Sequence, residues 1–120
     1  MTLDDAQAML RQFAVEREWE QFHTPKNLAM ALAGEVGELV EVFQWLTLEQ
    51  SVEVMADPQR AVQVRHELAD VFGYVLRLAD VLDVDLMAAL DEKVELNSRR
   101  YPVEKSKGNA RKYTELGGSE

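Results

Sequence analysis

Two pairs of carboxylates set inside apolar helical seams constrain this chain more than any other feature. The stretch from Leu32 to Trp45 reads LAGEVGELVEVFQW. With about 100° of rotation per residue, Leu28, Leu32, Leu39, Val42 and Leu46 fall on one stripe, with Glu35 in its middle. Glu38 falls at the edge of that stripe beside Ala31 and Trp45, whereas Glu41 falls on the other side among Gly34, Gly37 and Gln44. A charged carboxylate in an apolar seam loses much of its hydration unless a partner or a metal compensates it. No Lys or Arg lies between Asn27 and Gln59, so that partner has to come from elsewhere. A second stretch, HELADVFGYVLRLADVL, repeats the arrangement: Glu67 shares a face with Val71, Tyr74 and Leu78, and Asp70 flanks it three residues on. Residues three apart are neighbours on a helix surface, so two E-x-x-E/D pairs can converge on hard cations.

Composition narrows what such a site serves. At 120 residues with 47% hydrophobic content the chain is expected to form one domain, residues 1–120, with a real core. Its 22 acidic and 13 basic residues give a net charge of −9, which repels the phosphates of a nucleic-acid polymer but leaves room for a small polyanion bound through magnesium. There is no cysteine, and only His23 and His66 carry imidazoles, so disulfides, thiolate zinc sites and imidazole-rich metal centres are excluded. Oxygen ligands remain. The opening MTLDDAQAML carries acids where a signal peptide needs a basic region, and no uncharged segment approaches the ~20 apolar residues of a membrane span, so a cytoplasmic protein is expected.

The helix punctuation predicts an all-α fold. Thr2 is a favourable N-cap for a first helix running to about Gln21, with Leu3, Ala6, Met9, Leu10, Phe13 and Val15 at helical spacing. Thr24-Pro25 starts a second helix that reaches about Trp45. Thr47 to Gln50 reads as a capping box for a short helix over Leu48 to Met55. Asp57-Pro58 begins a long helix to about Leu82, and Asp83 or Asp85 caps the last one, Leu86 to about Tyr101, stopped by Pro102. Its expected buried stripe is Leu86, Leu90 and Val94, with Lys93 and Asn97 on the same side. The tail from Val103 to Glu120 reads as irregular, and no stretch alternates with the period of a strand.

Several residues admit two readings. Trp19, Phe22 and His23 gather just before the chain turns: they either pack at a helix corner or wall a pocket, since aromatic faces stack on nucleobases. Lys93 and Asn97 either neutralise the buried acids or meet phosphate oxygens. The acids themselves suit magnesium, which takes near-octahedral oxygen coordination and keeps waters; a carboxylate not fully used as a ligand takes a proton from water, a role for Glu35 or Glu38. A carboxylate-bridged iron or manganese oxidase would add E-x-x-H pairs, which neither histidine completes. A non-catalytic helical dimerisation or regulatory module, in which Glu35 and Glu67 merely pair with Lys93 and arginines, stays open.

Taken together, Glu35-Val-Gly-Glu38, Glu67-Leu-Ala-Asp70, Lys93, Asn97 and Arg100-Tyr101-Pro102 resemble the MazG-like all-α nucleoside triphosphate pyrophosphohydrolases. WEQFHTPKNL before the first pair, FQW after it, and the closing RYPVEKSKGNARKYTEL are most similar to the dCTP pyrophosphatase branch, and the resemblance runs from about Phe13 to Leu116. It implies a four-helix-bundle-type fold with an extra short helix, assembled as a homo-oligomer, usually a tetramer. It also implies magnesium-dependent hydrolysis, with manganese as a substitute, of a nucleoside triphosphate to its monophosphate and pyrophosphate. dCTP or a modified dCTP is the implied substrate, and dUTP the alternative. Matched position by position, Glu35, Glu38, Glu67 and Asp70 correspond to the family's metal ligands, and Lys93 and Asn97 to its phosphate and site-ordering positions. Trp19, His23, Trp45 and Tyr74 correspond to residues around the nucleotide. For Lys107, Arg111 and Lys112 in the tail, three readings stay open: contact with the nucleotide, a solvated segment, or an intersubunit strap.

Overall fold

The computed structural model describes residues 1–117, and these contain helices and turns but no strand. The elements are α1 (Leu3–Glu16), α2 (Pro25–Phe43), α3 (Leu48–Val52), α4 (Pro58–Leu82), α5 (Leu86–Arg100) and α6 (Val103–Ser106), with 3-10 turns at Glu20–Phe22 and Val54–Ala56. The expected caps are in place. Thr2 and Thr47 each complete a capping box, with Asp5 and Gln50, and Thr24 accepts from the Asn27 amide ahead of Pro25. Asp57 and Asp85 cap α4 and α5 through the amides of Gln59 and Ala88. Each such bond satisfies an amide that the first turn leaves without a helical acceptor and is worth ~1 kcal/mol.

The chain divides into two units, the first Met1–Asp83 and the second beginning at Val84. In the first, α2 and α1 both pack along α4, around a core that includes Ala6, Ala14, Leu28, Val64, Leu76 and Ala79. The expected stripe of α2 is the one turned inward: Leu28 is buried and Leu32, Glu35, Leu39 and Val42 are half-buried, whereas Glu41 is exposed. On α4, Glu67, Val71, Tyr74 and Leu78 are likewise half-buried. Gln7 Nε2 donates to the Leu76 carbonyl at 3.1 Å and Arg11 grips Asp80, tying α1 to α4 at the end away from the α4 cap.

α1 stops five residues before the expected Gln21, and the reason bears on the site. Glu18 takes a left-handed conformation (φ 55°), so the Glu18 amide bonds back to the Val15 carbonyl at 3.1 Å and the Trp19 amide to the Ala14 carbonyl at 2.9 Å. This is a Schellman ending with glutamate where glycine is usual, which is why no glycine marks it in the sequence. The hydrophobic contact that accompanies such an ending is Trp19 on Phe13, edge to face at 5.7 Å. α2 also ends at Phe43 rather than Trp45, and the short third helix ends at Val52 before passing into a 3-10 turn.

In the second unit the tail is more ordered than its composition suggests. Pro102 starts the short α6, accepting from the amides of Lys105 and Ser106, and Tyr113 packs edge to face on Tyr101 at 6.1 Å with the Arg100 guanidinium over its ring. Gly118, Ser119 and Glu120, the end of the tail read as irregular, lie outside the described residues. The stripe expected to be buried on α5 is open: Leu86 is half-buried, but Leu90 and Val94 are 58% and 54% exposed. Helical spacing identifies an apolar face without saying what covers it. No helix among the described residues is long and apolar enough to cross a membrane.

Candidate active site

α2 presents Glu35 and Glu38 one turn apart, and α4 presents Glu67 and Asp70 in the same way. Because both pairs lie on or beside the stripes by which the two helices pack, the four side chains meet. One carboxylate oxygen from each lies within 4.8 Å of the others. Glu35 and Glu67 each bury an oxygen, Oε2, without a hydrogen-bond partner. The charges bearing on them most strongly belong to other carboxylates, and the ion pairs of Arg11, Arg17, Arg60, Arg77 and Arg99 are made elsewhere.

The electrostatic consequence is large. Loss of water, then hydrogen bonding with Glu38 and the charges of Glu38, Asp70 and Glu67, push Glu35 up to about 7 from an ordinary 4.5. Glu67 is raised as well, first by burial and then by Glu38, Asp70 and Glu41. Four converging carboxylates, two of them with an unpartnered buried oxygen, are a donor set for a hard divalent cation, and the all-oxygen composition suits magnesium or manganese. The residues present therefore fit the metal that the sequence reading anticipates.

Two cavities flank the acids. One, of about 240 Å³, is lined by Phe13, Trp19, His23, Tyr74 and Arg77 and reaches Asp70. Trp19 owes its place there to the Schellman ending, and its indole lies 6.3 Å from the His23 ring. The corner residues thus do more than pack: Trp19, His23 and Tyr74 wall a cavity that touches the acid cluster. Phe22 does not join them and stays exposed. Trp45, beyond the end of α2 and 87% exposed, is not part of this wall either. The second cavity, about 450 Å³, is lined by Glu38, Glu41, Val42, Gln63 and Glu67. Glu41 is therefore closer to the site than its position on the helical wheel implies, close enough for its charge to raise Glu67.

Lys93 and Asn97 lie on α5, in the second unit. Lys93 is exposed, and half-buried Asn97 accepts the Tyr101 amide through its carbonyl at 2.8 Å. Arg77 escaped the sequence reading. It is 7% exposed, it lines the aromatic cavity, and Nε donates to His23 Nδ1 at 3.0 Å. Its signal was available: an arginine three residues after Tyr74 in the apolar run YVLRLADV, with Asp80 one turn on.

The model of the MazG-like family matches residues 31–116, which include all four acids. dCTP pyrophosphatase 1 from Bos taurus is 46% identical over 115 residues, and that from Homo sapiens 45%. Each alignment covers 96% of this chain and 68% of the relative. A crystal structure of a pyrophosphatase from Archaeoglobus fulgidus superposes with a TM-score of 0.77 at 40% identity, covering 82% of this chain and 91% of that one.

Proposed function

Because this chain belongs to the MazG-like family and is a nucleoside triphosphate diphosphatase, we propose that it hydrolyses dCTP or a 5-substituted dCTP, with magnesium, to the monophosphate and pyrophosphate. The observation that carries the reading is the pair of buried, unpartnered oxygens of Glu35 and Glu67 inside a four-acid cluster, next to an aromatic cavity. Glu35, Glu38, Glu67 and Asp70 would hold Mg²⁺, or Mn²⁺ in its place. When bound, the cation supplies positive charge against the phosphate oxygens, which this acidic surface would otherwise repel.

The remaining steps fall to the chain's own side chains. Trp19 and Tyr74 offer ring faces for a base, and His23 offers a polar edge. Asp70, which both lines this cavity and belongs to the cluster, sets the triphosphate next to the base site. Glu35 or Glu38 takes the proton of the water that adds across the α–β phosphoanhydride. Lys93 and Asn97 are assigned to phosphate oxygens, and exposed Trp45 to the outer side of the nucleotide. The preference for cytosine rests on the relatives, which are named for dCTP.

We assign the working form to a homo-oligomer, for which a tetramer is expected, since Leu68 and Phe72, one turn apart on α4, are 51% and 52% exposed. A cytoplasmic location, where nucleoside triphosphates are made and used, follows from the same reading. The deciding experiment measures pyrophosphate release from dCTP, 5-methyl-dCTP, dUTP, dTTP, dATP and dGTP, with Mg²⁺, with Mn²⁺ and with a chelator. Release that is fastest from the cytosine nucleotides and abolished by the chelator is the expected result. Release unaffected by the chelator would remove the metal assignment, and a purine preference would remove the substrate.

A further inference from the structure

The aromatic cavity contains a positive charge that the reaction as described does not use. Arg77 is almost wholly buried and is tethered on two sides. Nη1 donates to Asp80 Oδ2 at 2.9 Å, and Asp80 is gripped in turn by Arg11 through bonds of 2.6 and 2.9 Å. On its other side, Nε donates to His23 Nδ1 at 3.0 Å. The chain thus builds an acid–base ladder, Arg11–Asp80–Arg77–His23, that ends at the cavity wall.

A neutral imidazole has one nitrogen that donates and one that accepts. An N–H aimed at Nδ1 leaves that nitrogen only the acceptor role, so the ring proton must sit on Nε2. A proton on Nδ1 would set N–H against N–H and place a second positive charge beside a buried guanidinium. Desolvation, and then the charge of Arg77, hold His23 below its ordinary 6.5, in keeping with that geometry.

We propose that Arg77 is a positioning residue: it locks His23 as a neutral Nε2–H donor, so that the cavity favours a ring edge presenting an acceptor, a carbonyl oxygen or an unprotonated ring nitrogen. Cytosine presents both, side by side. The proposal rests on the hydrolase reading for its substrate, but the tautomer it requires is a property of the free protein. Asp80 and Arg11 matter here because Arg11 holds the Asp80 carboxylate bidentately, and Asp80 in turn anchors Arg77 through its one bond to Nη1.

The test has two arms. Long-range ¹H–¹⁵N correlation spectra of the full-length protein, without metal or nucleotide, report which nitrogen of His23 carries the proton. The expected result is Nε2 at neutral pH, and a proton on Nδ1 or on both nitrogens overturns the proposal. The second arm compares KM and kcat of wild type, Arg77→Met and Arg77→Lys on dCTP and on the triphosphate of abasic deoxyribose. Loss of one neutral hydrogen bond predicts a rise in KM for dCTP of roughly 3- to 10-fold in Arg77→Met with kcat little changed, partial rescue in Arg77→Lys, and no rise on the abasic substrate. An equal rise on both substrates would mean that Arg77 only supports the fold or meets phosphate, and would overturn the proposal. Should Arg77→Met fail to fold, His23→Phe enters the same comparison with the same expected pattern. If wild type hydrolysed neither triphosphate, the hydrolase reading would fall, while the spectra would still decide the tautomer.

Discussion

Glu35 on α2 and Glu67 on α4 bring carboxylate oxygens within 4.8 Å of each other, and each buries its Oε2 without a partner. Like charges at that distance in a partly dry seam are unfavourable, so the fold carries a local cost that a proton or a cation relieves. The pair therefore reports on both metal and pH.

Metal-free stability depends on pH with a definite sign. Glu35 is held at about 7 in the fold against an ordinary 4.5, so the folded state binds its proton more tightly than the unfolded chain does. That advantage is complete below 4.5 and is lost as pH rises to about 7. Asp80, lowered from 3.8 chiefly by its hydrogen bond with Arg11, acts in the opposite sense but only in the more acidic range. Chelator-treated protein should show a Tm that falls between about pH 5 and pH 7, with a shallower fall in Glu35→Gln. Equal slopes for the two proteins would mean that Glu35 does not titrate as its surroundings dictate.

Neutralising one ligand should separate stability from activity. Glu38→Gln and Asp70→Asn are expected to abolish pyrophosphate release while leaving the helical circular dichroism unchanged. Their metal-free Tm should equal or exceed that of wild type, because a repelling charge is gone, and added Mg²⁺ should no longer raise it. Near-wild-type turnover in either variant would break the metal-site assignment. Glu41→Gln, at the margin of the cluster, should keep its kcat but need a few-fold more Mg²⁺.

Trp19 and Trp45 make a paired test of the base site. Trp19→Ala should raise KM for dCTP about tenfold or more with little change in kcat, since stacking contributes ~1 to 3 kcal/mol per base. Trp45, 87% exposed and assigned only to the outer side of the nucleotide, should give a smaller rise. A rise in KM for Trp45→Ala matching that of Trp19→Ala would show that the cavity alone does not hold the base.

The left-handed Glu18 offers a test of the α1 ending. Replacing it with glycine removes the steric cost of φ 55° and should stabilise the protein by up to about 1 kcal/mol, a few degrees in Tm. KM should stay unchanged, because the backbone bonds that set Trp19 remain. A lower Tm would mean that the glutamate side chain itself supports the turn.

Self-association is checked by sedimentation at micromolar protein. A mass several times 13.7 kDa is expected, reduced by the double variant Leu68→Glu, Phe72→Glu. A wild-type monomer would leave those apolar side chains without an explanation.

The sequence by itself determined whatever is decided within a turn or two of helix. Thr2, Thr24, Thr47, Asp57 and Asp85 announce their helices because a cap bonds amides two or three residues away. The convergence of Glu35, Glu38, Glu67 and Asp70 was legible for a related reason: Glu35 and Glu67 sit on apolar stripes that have to face a neighbour, and helical period sets Glu38 and Asp70 one turn on at their margins. Tertiary structure alone decided the rest. Glu18 ends α1 in a conformation that its residue type does not advertise, and that ending puts Trp19, rather than Trp45, on the cavity wall. Leu90 and Val94 form a clear stripe, yet periodicity cannot tell a face covered by the same chain from one left open. His23 and Arg77 are 54 residues apart in sequence, and no local pattern links them. Only the packing of α4 against the corner before α2 creates the bond that sets the tautomer of His23, because a hydrogen bond needs its atoms within about 3 Å and sequence distance carries no such information.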